Sequence, residues 1–389
     1  MTEKRSPYLW SSRSAFPSAD TQAVPPRIDT RSFEREREKV FSKVWLMVGR
    51  VESITAPGDF LARSIAAAGA TVVVMRDDTG RIQGFRLACD LCSEGYPAVT
   101  RAETFGRAQR AREPGDPRCG AFSIPRDGLC SCERPRFETV HTDVWQGFVF
   151  VNCARGDVPT LHDWLGGFAT HFEGFAFESM TERYSYRATL HCNWKIALDA
   201  LSAAYHVPTS HTASFPGAYA SGVDDVKLIG DHRCAGVYLR HLEPRLPIAK
   251  IAAERASRAN TFAPRITALP ERVNPSRRDD FSFELGVCFP NLLLQIAEHA
   301  WLSHQFWPLA PNRTLWEGRY YVAPARTHSE RWTIEQAQCL QRNAWLEDIT
   351  GVEDTHEAIA AGTQALPLLH DEHPLIRHGY NVLERYMSR

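Results

Sequence analysis

Two histidines separated by four residues carry the clearest chemical signal in the chain. His206 and His211 lie in the segment AYHVPTSH. Two imidazoles and one carboxylate can bind Fe(II) on one face and leave the other coordination positions open for O2 and substrate. Five residues turn an ideal helix through about 140°, so both rings reach one metal only where the helix bends or ends. Because Pro208 supplies such a break, the spacing permits a mononuclear metal site. The alternative is a pair of hydrogen-bonded imidazoles that bind no metal.

The ten cysteines are distributed unevenly, and half of them fall between residues 89 and 132. They are arranged as Cys89-x2-Cys92, a lone Cys119 and Cys130-x-Cys132. Four converging thiolates would form a structural zinc site or, alternatively, an all-cysteine iron–sulfur site. A third possibility is that these cysteines are small apolar side chains in a metal-free domain. The sequence leaves these three interpretations open.

Composition narrows the class of protein. The chain has 389 residues and a formal net charge of -1. Its length indicates two domains, and its 43% of hydrophobic residues is typical of a globular protein. Balanced charge argues against a nucleic acid or an anionic membrane as partner. The N-terminus has no apolar signal segment, and the longest nearly apolar run, Ile65 to Met75, is too short to span a bilayer. We therefore expect a cytoplasmic protein with reduced thiols.

The hydrophobic pattern changes once along the chain and predicts an α+β protein. Residues 1–40 are expected to form an arm and a helix. Residues 41–158 contain short strand-like runs such as TVVVMRD and WQGFVFVNC, which predict an all-β domain. Residues 159–389 combine helical stretches such as LHDWLGGFATHFEGF with strand-like runs such as PNLLLQI, which predict helices on an antiparallel sheet. The basic segment 248–278 lacks periodicity and is expected to be a surface loop or lid.

The order of several segments resembles the α subunit of Rieske-type non-haem iron oxygenases, over about residues 38 to 389. The segments that carry the resemblance are VFSKVWLMVGR, PGDFLARSI, VVVMRDDTGRIQGF, WQGFVFVNC, NWKIALDALSAAYHVPTSH, FPNLLLQ and WPLAPNRTLWEGRYYVAP. The resemblance implies a Rieske-like β domain that holds a [2Fe–2S] cluster through Cys-x-His and Cys-x2-His. It also implies a helix-grip domain that holds mononuclear iron, in a head-to-tail trimer.

The chain departs from that family where the cluster ligands are expected. Leu91 stands at the histidine position of the first pair, after Cys89. For the second pair, one alignment places Phe122 at the histidine position, and the other places Gly120 there. Leucine, phenylalanine and glycine side chains offer no imidazole for iron. We therefore expect no normal Rieske cluster in this chain.

The resemblance also assigns residues around the mononuclear site. It makes Asp354 the carboxylate ligand beside His206 and His211, with Glu353 and Asp348 as the other choices. The family's acidic residue that links this site to the neighbouring subunit's cluster is replaced by Ala203. An alanine methyl group cannot accept the hydrogen bonds of that link.

Asp199 lies two helical turns before His206 and has two interpretations. It either supports that imidazole from the second coordination shell or pairs with Lys195, four residues before it in the chain. Candidates for a substrate pocket are apolar or aromatic: Phe215, Leu293, Trp301 and Phe306.

These observations favour an accessory subunit that assembles with an intact α-type oxygenase subunit. Reductase or ferredoxin would then act through that partner. One alternative is a catalytic Fe(II) oxygenase subunit that hydroxylates an apolar or aromatic substrate with electrons supplied from outside. Another is a non-redox metal-dependent hydrolase or a ligand-binding protein. Leu91 and Ala203 stand where the family has a cluster ligand and the linking acidic residue. The absence of these two electron-transfer residues favours the accessory role.

Overall fold

The computed structural model describes residues 27–88, 103–107, 118–119, 122–123, 136–202, 206–215, 218–241, 269–362 and 374–389. The chain divides into two compact units. One comprises Arg31–Leu165 with Tyr386–Arg389, and the other comprises Gly166–Arg385 with residues 27–30. The division falls after Leu165, whereas the sequence placed the domain boundary after residue 158. No helix within the described residues is long and apolar enough to cross a membrane.

The first unit is built on a seven-stranded antiparallel sheet. Helix α1 (Thr30–Glu36) and a π-helical turn (Arg37–Phe41) precede it. The strands are β1 (Trp45–Arg50), β2 (Asp59–Ile65), β3 (Ala70–Arg76), β4 (Ile82–Ala88), β5 (Glu103–Arg107), β8 (Arg136–Trp145) and β9 (Phe148–Asn152). Their order is β1-β9-β8-β4-β3-β2-β5. Strands β6 (Arg118–Cys119) and β7 (Phe122–Ser123) form a separate hairpin, and helix α2 (Leu161–Leu165) ends the unit.

The second unit contains another seven-stranded antiparallel sheet with helices. Its strands are β10 (Glu182–Leu190), β11 (Ala218–Ile229), β12 (His232–His241), β13 (Phe281–Cys288), β14 (Leu292–Ile296), β15 (Ala300–Ala310) and β16 (Arg313–Val322). Their order is β10-β16-β15-β14-β13-β12-β11. The helices are α3 (Gly167–His171), α4 (Trp194–Leu201), α5 (Val207–Ser210), α6 (His328–Ala360) and α7 (Pro374–Met387). The predicted α+β class is confirmed.

One predicted helix is divided in the structure. The stretch LHDWLGGFATHFEGF forms α2 and α3 instead of a single helix. Gly166 lies between them with φ 49°, a left-handed conformation that glycine adopts without a steric penalty. The predicted lid, 248–278, lies outside the described residues up to position 268.

Helix α4 is anchored at its first turn to the hairpin of β15 and β16. The Asn193 side chain accepts a hydrogen bond from the Lys195 backbone N–H at 3.2 Å, which caps the helix. Its amide donates to the Pro311 carbonyl at 2.6 Å, and the Thr314 hydroxyl donates to the Cys192 carbonyl at 2.8 Å. The start of the helix is therefore fixed to the sheet. Its other end, Leu201, lies five residues before His206.

Helix α6 runs along edge strand β10 and is fixed by its first turns. Thr327 accepts a hydrogen bond from the Glu330 backbone N–H at 3.1 Å, as expected for a Thr-x-x-Glu capping sequence. The Arg331 guanidinium donates two hydrogen bonds to Glu182, at 2.6 and 2.7 Å. The Tyr184 hydroxyl donates to Glu335 at 2.9 Å. These contacts set the rotation of the helix, and therefore which of its carboxylates face inward.

Candidate metal centre

The two histidines flank the single turn of helix α5. His206 is its N-cap residue and His211 its C-cap residue, with Pro208 in the first turn, where proline costs no hydrogen bond. The His206 carbonyl accepts from the Ser210 backbone N–H at 2.8 Å, which closes the turn. The ring centroids of His206 and His211 lie 5.1 Å apart. Helix α4 ends at Leu201, so the two imidazoles meet without sharing one continuous helix, as their spacing requires.

Asp348 of α6 completes a cluster of three metal-ligating side chains. Its Oδ1 lies 3.1 Å from His206 Nε2 and 3.3 Å from His211 Nε2. One ligand atom from each residue lies within 4.8 Å of the others. The His206 side chain is 21% exposed, whereas His211 and Asp348 are 7% and 9% exposed. The cluster therefore has one open side, through His206, and is otherwise enclosed.

The distances in this cluster fit a metal ion. Two ligand atoms at about 2.1 Å from a metal are separated by about 3.0 Å for a right angle and about 3.4 Å for a tetrahedral one. The two measured separations, 3.1 and 3.3 Å, lie in this range. Two imidazole nitrogens and one carboxylate oxygen are also the donor set of non-haem Fe(II) sites. The residues present therefore fit mononuclear iron.

Glu347 sets the orientation of His211, a role that the sequence analysis missed. His211 Nδ1 lies 2.9 Å from Glu347 Oε2, so Nδ1 carries the proton and Nε2 presents its lone pair toward Asp348. The same carboxylate accepts from the Ser214 backbone N–H at 3.0 Å and from the Ser214 hydroxyl. Burial raises the pKa of Glu347, but hydrogen bonds from Ser214 and His211 outweigh burial and leave it below its ordinary value. Glu347 is therefore an ionised partner for the imidazole.

The structure corrects the choice of carboxylate ligand. Asp354 is exposed on α6 and does not join the cluster, whereas Asp348, one of the two other choices, does. Six residues further along a helix, a side chain is rotated by about 240° and displaced by about 9 Å. Asp354 therefore faces away from the two histidines when Asp348 faces them. Glu353 accepts a hydrogen bond from the His191 backbone N–H at 2.8 Å and is also outside the cluster.

Asp199 is committed to the C-terminal helix α7. The Tyr380 hydroxyl donates a hydrogen bond to Oδ2 of the Asp199 carboxylate at 2.7 Å. The predicted contact with His206 is not formed among the described residues, and Lys195 acts on Asp199 only through its charge. Burial raises the pKa of Asp199 to about 7, against the opposing effects of Tyr380, Arg233 and Lys195.

The residues expected around a Rieske cluster lie mostly outside the described part of the chain. This applies to Cys89, Leu91, Cys92, Gly120, Cys130 and Cys132, and also to Ala203. Only the backbones of Cys119 and Phe122 are described, and they pair across the hairpin of β6 and β7. The thiolate site and the lost family positions therefore stay predictions from the sequence.

A small apolar cavity lies between α4, α6 and the sheet. Its volume is about 10 Å³, which is roughly the space of one water molecule. The lining residues are Leu190, Ala197, Leu201, Phe306, Trp316, Trp345, Ile349 and Val352. The α6 residues among them recur at i, i+4 and i+7, and Asp348 falls within the same stripe. The cavity and the metal ligand therefore share one face of α6.

Two of the four predicted pocket residues contact the cavity or the histidine pair. Phe306 lines the cavity, and the Phe215 ring contacts the His211 ring at a centroid distance of 5.9 Å. Trp301 instead stacks on Tyr321 at 3.7 Å, and Leu293 is fully buried. Both belong to the packed core rather than to the cavity wall.

We expect Glu347→Gln to weaken metal binding about 10- to 100-fold, because the neutral amide is a poorer acceptor for the His211 N–H. Competition titration with a chromophoric chelator measures this change. Glu357→Gln, at an exposed carboxylate of the same helix, serves as the matched control and leaves the affinity unchanged. An affinity within twofold of the unsubstituted protein in Glu347→Gln would refute the role of this carboxylate.

The raised pKa of Asp199 predicts a specific pH dependence of stability. The folded state holds this proton up to about pH 7, whereas the unfolded chain releases it near pH 4. Its stabilising contribution is therefore complete at low pH and is lost as pH rises from 4 to 7. We expect Asp199→Asn to gain about 1–3 kcal/mol relative to the unsubstituted protein between pH 4 and 8, measured by denaturant unfolding. A difference that does not change with pH would contradict this, and Asp354→Asn is the control.

Comparison with known proteins agrees with the fold. An antiparallel helix-and-sheet domain in which two histidines and an aspartate converge has the donor set of a mononuclear non-haem metal site. A sequence profile of the ring-hydroxylating α subunit, catalytic domain, matches residues 177–389, which is more than half of the chain. The chain belongs to this family, whose members use non-haem iron at the catalytic site.

The curated relatives are distant and are matched over part of their length. The large oxygenase component of a naphthalene 1,2-dioxygenase system from a Ralstonia species is 25% identical over 205 residues, 48% of this chain and 43% of that protein. A glycine betaine monooxygenase oxygenase subunit from Pseudomonas aeruginosa is 23% identical over 194 residues, 47% and 43% of the two chains. The chain therefore aligns with less than half the length of these relatives.

Solved structures extend the likeness in fold to most of the chain. A naphthalene 1,2-dioxygenase from a Rhodococcus species, bound to indole, has a TM-score of 0.63 at 16% identity, covering 92% of both chains. A quaternary ammonium Rieske monooxygenase in complex with gamma-butyrobetaine has a TM-score of 0.60 at 16% identity, covering 92% and 91%. At these identities the likeness establishes the fold.

Proposed function

We propose that this chain is an oxygenase subunit that holds one non-haem Fe(II) through His206, His211 and Asp348. The observation that carries the proposal is the convergence of these three side chains, with Asp348 Oδ1 at 3.1 and 3.3 Å from the two imidazoles. The Glu347 hydrogen bond to His211 adds the oriented imidazole that metal sites commonly have. A chain that had lost all use for a metal would gain nothing from keeping this arrangement.

The chemistry of such a site is oxygen activation, which Fe(II) with a 2-His-1-carboxylate face supplies when bound. The residues of this chain contribute binding and orientation. Glu347 holds the His211 proton on Nδ1, so that Nε2 is available as a ligand. The side chains of Trp345, Ile349 and Leu201 line the apolar cavity and favour an apolar substrate.

Electrons have to come from outside the chain on this account. Leu91 and Ala203 replace residues that the resemblance assigns to the cluster and to its link with the iron site. We propose that a homologous α-type subunit with an intact cluster supplies the electrons in a hetero-oligomer based on a trimer. Reductase or ferredoxin would dock on that partner. The relatives named as oxygenase components or subunits are consistent with such multicomponent systems.

A second candidate is the accessory role, in which this chain contributes assembly and the partner carries all turnover. The replacement of the linking carboxylate by Ala203 favours it, because electrons arriving at a neighbouring cluster would lack that route. In this case the His206 cluster would hold a metal that stabilises the fold.

Substitution within the assembled complex distinguishes the two roles. The complex is obtained by co-expression with a candidate α-type chain, and substrate-dependent O2 uptake is measured. The proposed function predicts that His206→Ala in this chain alone lowers turnover to background while the complex still assembles. Glu357→Gln, the exposed control, leaves turnover unchanged. Unchanged turnover in His206→Ala would reject the catalytic role and establish the accessory one.

A further inference from the structure

His304 is a fully buried histidine on β15 with one nitrogen unpaired. Its Nδ1 accepts a hydrogen bond from the Trp316 indole N–H at 3.2 Å, so the proton of the neutral ring is on Nε2. That Nε2–H has no hydrogen-bond partner among the described residues. A buried donor without a partner destabilises the folded state, so its presence calls for an explanation.

Two residues of the neighbouring strand β16, Gly318 and Trp316, fix the orientation of this imidazole. Gly318 of β16 lies directly opposite His304 in the strand register. A Cβ atom at Gly318 would lie 2.5 Å from the Trp316 indole, so only glycine lets the indole lie across this position. The indole thereby reaches His304 Nδ1 and fixes which nitrogen carries the proton.

The ring stays neutral over the whole working range of pH. Burial lowers the pKa of His304 to about 3. The Nε2–H is therefore a constant, uncharged donor, and it needs no ion to balance it.

The His304 ring packs against side chains that line the cavity between α4, α6 and the sheet. Its ring contacts the rings of Trp345, Trp316 and Phe306, at centroid distances of 4.9, 6.0 and 6.4 Å. All three of these side chains line the cavity. Trp345 also precedes the ligand Asp348 by one helical turn. The ring that carries the unpaired donor therefore packs against three of the side chains that line the cavity.

We propose that His304 Nε2–H donates a hydrogen bond to an oxygen acceptor of the substrate, and that the substrate is a largely apolar molecule with such an acceptor. This inference rests on the proposed function, because it takes the cavity as the apolar end of that substrate site. The cavity has room for about one water molecule, so the proposal requires a lining side chain such as the Trp345 indole to move aside when an organic molecule enters. A site with a buried donor rejects an analogue without the acceptor, because the donor then stays unpaired. His304 is thus a residue that determines specificity.

The test uses two probes of nearly the same shape, acetophenone and α-methylstyrene, in which a methylene group replaces the carbonyl oxygen. Binding is measured by calorimetry on the metal-free full chain carrying Trp345→Ala, which opens the space. We expect the ratio of the two dissociation constants to shift against acetophenone at least tenfold when His304→Phe is added. The added control Phe306→Leu, at a cavity residue without a polar atom, changes both constants alike and leaves the ratio within twofold.

A second measurement needs no change at His304. In Trp345→Ala protein labelled with 15N-histidine, acetophenone moves the His304 Nε2–H proton resonance downfield and α-methylstyrene does not. The proposal is overturned if the ratio is the same with and without His304, if the resonance responds equally to both probes, or if neither probe binds. Because no metal is present, loss of iron binding in a separate titration would reject the proposed function without affecting this result.

Discussion

We expect Asp348→Ala to abolish binding of the mononuclear metal and Asp354→Ala to leave it intact. Removal of a single partner outside the coordination sphere costs about 10- to 100-fold in affinity, so loss of one of three protein ligands costs more than about 100-fold. The two aspartates lie on the same helix, and only Asp348 lies within reach of the imidazoles, at 3.1 and 3.3 Å. Equilibrium dialysis with Fe(II) under anaerobic conditions, followed by metal analysis, measures the stoichiometry of each variant.

This pair of variants controls for general effects of substitution on helix α6. Both replace aspartate by alanine, and circular dichroism checks that each retains the fold. His206→Ala is expected to behave as Asp348→Ala does. Retention of one equivalent of metal in Asp348→Ala, together with its loss in Asp354→Ala, would restore the ligand set first expected from the sequence.

We expect the purified chain to lack the visible absorption of a histidine-ligated [2Fe–2S] centre. The family resemblance places Leu91 and either Phe122 or Gly120 at the two positions of the imidazole ligands, and none of these side chains can bind iron. The expected cluster content is below about a tenth of an equivalent, which treats the motif departures as decisive. Absorption spectroscopy with iron and sulfide analysis on anaerobically purified protein measures it, and a stoichiometric centre would refute the ligand assignment.

The cysteines offer a separate outcome in the same preparation. If they hold zinc, its content falls when Cys89, Cys92, Cys130 or Cys132 is replaced by serine, because a structural zinc site needs all four of its ligands. Cys192→Ser is the control, since Cys192 is buried elsewhere as a free thiol. Zinc that persists in all four variants would show that these cysteines are not its ligands.

The sequence was sufficient to predict the histidine pair but not its carboxylate. The spacing of His206 and His211 around Pro208 required a break in the helix, and this needed no tertiary information. Asp348, Glu353 and Asp354 lie on one helix at different rotations, and which of them faces inward depends on how the helix packs. The apolar stripe of Trp345, Ile349 and Val352 indicates that rotation, and it places Asp348 within the buried face.

Other features of the site depend on contacts between distant segments. Glu347 and His211 are hydrogen-bonded but lie 136 residues apart in the sequence, and no local sequence pattern marks the pair. His304 belongs to the apolar strand HAWLSHQFWPL, where a single histidine gives no sign that one of its nitrogens is unpaired. Periodicity did predict helices on an antiparallel sheet for the second domain. It failed at Gly166, where one positive φ angle divides a helical pattern into α2 and α3.

Anomalous X-ray scattering from crystals of the Fe(II)-loaded protein tests the central claim most directly. Difference maps recorded above and below the iron absorption edge locate the metal without assumptions about its ligands. The account predicts one peak per chain, about 2.0–2.3 Å from His206 Nε2, His211 Nε2 and an Asp348 carboxylate oxygen. A fully loaded crystal with no iron peak between these three side chains, or with a peak coordinated by Asp354 instead of Asp348, would contradict it.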